Sequence, residues 1–154
     1  MRTRPGITLA MFGMLAVSIP LLSACAGLMS GTSALQGEWV LTSGSDTQGA
    51  LIDSAQPVTL TFDGDAVSGQ APCNTYSASV ARGPGAGSTG PLEFGGIART
   101  EMACAEQQQN ELEARYFAAL EAADSVSVSD DGETLELTGD GVFVRFERSE
   151  TREG

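Results

Sequence analysis

The side chains able to do chemistry in this chain are few in kind. The sequence carries 20 acidic and 8 basic residues, every basic residue is Arg, and Lys and His are absent. Without His there is no Ser–His or Cys–His nucleophile pair and no imidazole metal ligand. Without Lys there is no Schiff base, no Ser-x-x-Lys arrangement and no phosphate-binding loop lysine. What remains is carboxylates, three Cys and a few polar side chains set among apolar ones, chiefly Asn74, Tyr76 and Thr100. Asn74 follows Cys73 and shares a strand side with Tyr76. It reads either as a ligand contact or, preferably, as a buried amide that satisfies a neighbouring loop. The Thr100 hydroxyl is better suited to supporting a turn than to attacking a substrate. Asp63 and Asp65, and Asp130, Asp131 and Glu133, flank turns. Calcium binds such groups, but EF-hand spacing is absent and ordinary turn chemistry accounts for them. Paired carboxylates for glycoside hydrolysis cannot be singled out among so many acids. The expectation is a protein that is not an enzyme and holds no metal or cofactor.

The cysteines divide by position. Arg2 and Arg4 precede an uncharged, mainly apolar run from Ile7 to Leu22. That run falls short of the roughly 20 residues needed to span a bilayer as a helix, and reads as the core of a signal peptide over residues 1–24. The segment Leu22-Ser23-Ala24-Cys25 resembles the bacterial lipobox. That resemblance implies diacylglycerol on the Cys25 sulfur and cleavage before it. Two or more acyl chains, palmitate among them, make a stable anchor. Residues 25–34 would be the lipidated terminus and a flexible tether, and the domain would face the extracytoplasmic side of a cell membrane.

Cys73 and Cys104 are left as an even pair. Export places them in an oxidising compartment, and two cysteines permit one intrachain bond. Closing a loop of about 32 residues stabilises a fold by about 3.5–4 kcal/mol in the chain-entropy picture. Two thiolates binding a soft metal are the alternative. A reactive thiol has no His or Lys anywhere in the chain to activate it.

The elements that would position these residues are short strands and one helix. Residues 37–42 form a β-type run with Trp39 and Leu41 on one face, followed by a Gly- and Ser-rich loop over 43–55. Val58, Leu60 and Phe62 alternate with Thr59 and Thr61. Asp63-Gly64-Asp65 turns the chain into a return strand at Ala66-Val67-Ser68. Cys73 to Val80 is the next strand. A Gly/Pro/Ser loop spans Arg82–Gly90, and Leu92 and Phe94 follow on a strand broken by Gly95-Gly96. The one helix runs from about Ala105 to Ala122, with Leu112, Tyr116, Phe117 and Leu120 as its apolar stripe. Val126/Val128, Leu135/Leu137 and Val142/Val144/Phe146 close the chain as a tight meander. The fold expected is α+β, with a curved antiparallel sheet of about seven to eight short strands packed on one α-helix. The domain is placed at 35–148 and a flexible tail at 149–154.

An ordered set of short motifs resembles the META domain, the family that includes HslJ-type heat-inducible lipoproteins. These are Leu35-x-Gly37-x-Trp39-x-Leu41, Thr61-Phe62, Val67-Ser68-Gly69, Cys73-Asn74-x-Tyr76, Thr100-x-Met102-x-Cys104, Leu135-x-Leu137 and Phe146. The resemblance implies an antiparallel sheet wrapped around one helix and an exported or lipid-anchored location. It supplies no catalytic residues.

Without the leader's two arginines the mature chain has a net charge of −14. Such a domain is repelled by nucleic acid and by anionic lipid. The expected role is non-enzymatic, in envelope maintenance or stress tolerance, through contacts with an unidentified envelope protein, with a monomer assumed. A carrier of a small apolar ligand or lipid between sheet and helix is the alternative.

Overall fold

A computed structural model describes residues 34–84 and 86–149. Its strands are β1 (Gly37–Asp46), β2 (Gly49–Ala50), β3 (Thr59–Asp63), β4 (Ala66–Gln70), β5 (Thr75–Arg82) and β6 (Thr89–Arg99). The helix α1 (Gln107–Ala122) follows, then β7 (Ala123–Val128), β8 (Thr134–Gly139) and β9 (Val142–Arg148). Every pairing is antiparallel. The signal segment, Cys25, the tether up to residue 33 and the tail from residue 150 lie outside the described residues. Among those described, no helix is long and apolar enough to cross a membrane.

The curved antiparallel sheet packed on one helix is present, and it goes further than expected: the sheet closes on itself into a barrel. The strands run in order from β1 through β3 to β9, and β1 also pairs with β9. Gly37–Val40 bond to β3, while Trp39 to Ser45 bond to β9 on the other edge. The closing contact uses Ser43, Gly44 and Ser45, opposite Arg145, Val144 and Phe143. Composition alone makes this Gly/Ser stretch a loop; the partner strand about 100 positions away makes it a strand. The ninth strand is the two-residue β2, folded back on the end of β1. Eight strands remain, a number whose barrel interior is just wide enough for side chains to fill.

Bulges bend the strands round. Register shifts occur at Leu41/Ser43, Ser77/Ser79 and Ala123/Ser125, and an extra residue on one strand increases local twist and curvature. The second shift also explains why Gly95-Gly96 does not end β6. The strand runs on to Arg99 because the irregularity is a bulge within β6 itself: Gly96 and Ile97 together face the single residue Ala78 of β5, and Gly96 takes the left-handed conformation, φ 57°, that such a bulge favours.

Alternation fills the interior. Trp39, Leu60, Phe62, Val67, Val80, Leu92, Phe94, Val126, Leu135, Leu137, Val144 and Phe146 are all buried, as their every-other-residue spacing requires of one strand face. The buried stripe of α1 is Gln109, Leu112, Glu113, Tyr116, Phe117, Ala119 and Leu120. The helix closes one barrel end. Its C-terminal end lies on β8, where a Cβ at Gly139 would collide with the Ala122 carbonyl. Gly139→Ala should therefore lower stability by about 1–3 kcal/mol through overpacking. A thermal midpoint equal to the parent's would show that the helix end does not sit against β8.

The opposite end is held by Arg148. Its guanidinium donates to the carbonyls of Ala34, Gln36 and Gly132 at 2.8, 3.0 and 2.7 Å and lies 4.1 Å from the Trp39 ring centroid. The Trp39 indole in turn donates to the Leu35 carbonyl at 2.9 Å. The chain thus enters the barrel at the end away from α1.

Candidate functional site

The polar residues singled out by sequence meet where the β4–β5 connection, the segment before α1 and the helix itself converge. Cys73 and Cys104 are joined by a disulfide, with Cα atoms 5.5 Å apart, well inside the range such a bond needs. The bond ties the start of β5 to the approach to α1.

Asn74 is buried and uses all its hydrogen-bonding capacity. Its amide nitrogen donates to the Met102 carbonyl at 3.0 Å and to Glu113 Oε1 at 2.6 Å. Its amide oxygen accepts from the Thr100 hydroxyl and the Met102 backbone N–H, both at 2.7 Å. Glu113 is buried on the helix stripe, and its Oε2 accepts from the backbone N–H groups of Cys73 and Asn74, each at 2.9 Å. Low local dielectric strengthens such a network only when every member is satisfied, and here each is. Thr100 is thus brought to Asn74, where it buttresses the amide.

Tyr76 goes elsewhere. Its hydroxyl lies 2.9 Å from the Thr59 carbonyl and 2.8 Å from the Tyr116 hydroxyl. The two rings and Phe117 form a cluster with centroids 5.5 to 5.9 Å apart, a spacing favourable to aromatic pairs. Burial raises the pKa of both tyrosines, so both stay neutral donors. Arg99 covers the cluster, 4.7 Å above Phe117. A shallow groove of about 300 Å³ runs past Tyr76, Arg99 and Thr100, but the Tyr76 and Thr100 hydroxyls both face internal partners.

Two further clips fasten the helix. Arg115 grips Asp46 with two bonds of 2.8 and 2.7 Å and also donates to the Gly49 and Ala50 carbonyls. The guanidinium holds the Asp46 carboxyl below the usual Asp range. Gln109 clamps the loop before β3, donating to the Asp53 carbonyl at 3.0 Å and accepting from the Ala55 N–H at 3.1 Å. Among the turn acids, Asp131 accepts from the Ser129 hydroxyl at 2.6 Å and the Glu133 N–H at 3.1 Å, which lowers its pKa.

Glu113 and Gln109 carry much of this arrangement, and the reasoning from sequence passed them over. Their signal was present. Gln109, Leu112, Glu113, Tyr116, Phe117 and Leu120 follow one helical stripe, so two polar residues sat on an apolar face. The ligand atoms of Cys73, Cys104 and Glu113 lie within 4.8 Å of one another. The disulfide uses both sulfurs, and the three hydrogen bonds engage the carboxylate.

A family model of the META domain matches residues 32–151. The chain belongs to the META domain family. Among solved structures, a protein from Burkholderia xenovorans determined by NMR is similar, with 30% identity and a TM-score of 0.62. The match covers 78% of this chain and 87% of that one. A second NMR structure, 20% identical, shares the fold at a TM-score of 0.56, over 82% of this chain and all of that one. No curated protein matches the chain. The META motifs now have physical roles. Cys73-Asn74 and Thr100-x-Met102-x-Cys104 are the two strands of backbone that Asn74, Glu113 and the disulfide stitch together.

Proposed function

We propose that this META-domain protein is a lipid-anchored, exported protein that works by protein contact at the extracytoplasmic face of a membrane, not by catalysis. One observation carries the non-catalytic part: the polar groups gathered where the β4–β5 connection meets α1 face one another. Asn74, Thr100, Glu113 and Tyr76 all have internal partners. Catalysis needs groups aimed at a reacting atom, and these are aimed at the fold. The packed barrel also argues against the carrier reading. The space between sheet and helix holds Tyr76, Tyr116, Phe117, Leu120 and Phe146, each below 5% exposed. Native mass spectra of the folded protein should show the bare polypeptide mass apart from the N-terminal lipid; a co-purifying apolar ligand would restore the carrier.

The anchor rests on the Leu22-Ser23-Ala24-Cys25 motif. Replacing Cys25 with Ala should abolish labelling by fatty acid and move the protein from the detergent phase to the aqueous phase. Unchanged partitioning and labelling would remove the anchor. A role in envelope upkeep predicts that deletion sensitises cells to heat or antibiotics; growth indistinguishable from the parent under all envelope stresses would count against it.

A further inference from the structure

We propose that the helix-capped end of the barrel is a docking face for a basic segment of a protein partner that inserts apolar side chains beside Ile52 and Met102. This deepens the protein-contact reading and rests on it. Among the described residues, Ile52 and Met102 are the large hydrophobic side chains left exposed, at 42% and 61%. Singly, an exposed apolar residue needs no explanation. These two belong to one surface. Ile52 lines two grooves of about 380 and 550 Å³ on either side of the 52–57 loop. Met102 lines a third, of about 250 Å³, with Ala55, Gln56, Pro72 and the disulfide. Gln109 borders that third groove and holds the loop carrying Ile52 by its Asp53 and Ala55 backbone.

The surface is also fixed in shape. Asp53 has φ 75°, the left-handed region, and is the non-glycine residue with positive φ among those described. Such backbone persists only where its surroundings hold it, and the Gln109 clamp does so. Met102 is fixed through both backbone groups by Asn74. Preorganised loops lose less entropy on binding.

Charge names the occupant. Asp53, Glu106 and Glu111 line these grooves, and Glu101 adjoins Met102; all four are exposed. The arginine lining them, Arg115, is already bound to Asp46. An apolar patch ringed by uncompensated carboxylates selects a partner carrying Arg or Lys around an apolar anchor and repels anionic lipid. The chain enters the barrel at the other end, beside Arg148, so a lipid on Cys25 would be tethered to the end of the domain away from this face.

The test places a photoreactive amino acid at Met102, or at Asp65 on the opposite end, in the full-length protein within the cells that export it. The expected result is a discrete protein adduct from position 102 whose crosslinked peptide is net basic with an apolar residue at the junction. Ile52→Ser should cut that yield about tenfold, and Glu101→Gln with Glu106→Gln should reduce it and weaken its dependence on salt. These surface changes should leave the thermal midpoint unmoved. Adducts from position 65 alone, or equal yields from both ends, would overturn the docking face while sparing the protein-contact reading. An acidic crosslinked segment or lipid adducts from position 102 would overturn the partner class. Adducts from neither position would bring down the face and the protein-contact reading together.

Discussion

Glu113→Ala is expected to destabilise the fold by about 3–5 kcal/mol, the largest loss from any single substitution discussed. The carboxylate accepts the Cys73 and Asn74 backbone N–H groups and one amide proton of Asn74. Removing it leaves these donors without an acceptor, each at the desolvation cost of an unsatisfied group, and opens a cavity beneath the helix. Glu113→Gln keeps the volume but turns an NH2 group toward donors, so it should recover only part of the loss, about 1–2 kcal/mol. Urea unfolding monitored by Trp39 fluorescence is a suitable readout, since Trp39 is fully buried. A loss below about 1 kcal/mol for Glu113→Ala would mean that the helix does not carry the β4–β5 connection.

Reducing the disulfide, or replacing both Cys73 and Cys104 with Ser, is expected to cost about 3–4 kcal/mol. The bond closes 31 positions of chain, and the loss of loop constraint in the unfolded state has this size. The midpoint in urea should fall between oxidised and reduced protein with little change in the native spectrum, because the Asn74 network still joins the same two segments. A midpoint independent of reductant would show that the bond constrains nothing. The two effects should not add. Cys73 supplies a sulfur to the disulfide and an N–H to Glu113, so a variant lacking both features should lose less than the sum of the separate losses.

The strands were legible because an alternating pattern needs no knowledge of the partner. Val58, Leu60 and Phe62 announce an inward face whichever strand lies beside them, and all three are buried. The apolar stripe of α1 was legible for the same reason, and so was the pairing of Cys73 with Cys104, by elimination once Cys25 is assigned to lipid. Asn74 and Thr100 were legible as residues of interest, though not as neighbours of each other. What escaped was each feature that depends on contact between distant segments. The Ser43–Ser45 stretch has the composition of a loop and is a strand only because β9 lies against it. Gly95-Gly96 looked like a break and is instead a bulge in β6, accommodated because β5 keeps pairing on both sides of it.

Sequence by itself determined the charge of the molecule, the chemistries it lacks, the inward residues of nearly every strand, the helix stripe and the cysteine pair. These depend on residue type and local period, which the chain carries in full. Tertiary structure decided that the sheet closes into a barrel, that Glu113 and Asn74 lock the helix to two loops, and that Ile52 and Met102 share one acidic face. The physical reason is that hydrogen bonds and burial between segments tens of residues apart are set by where the backbone travels. The same polar side chain reads alike whether it awaits a ligand or, as with Asn74, has all four of its bonds inside the protein.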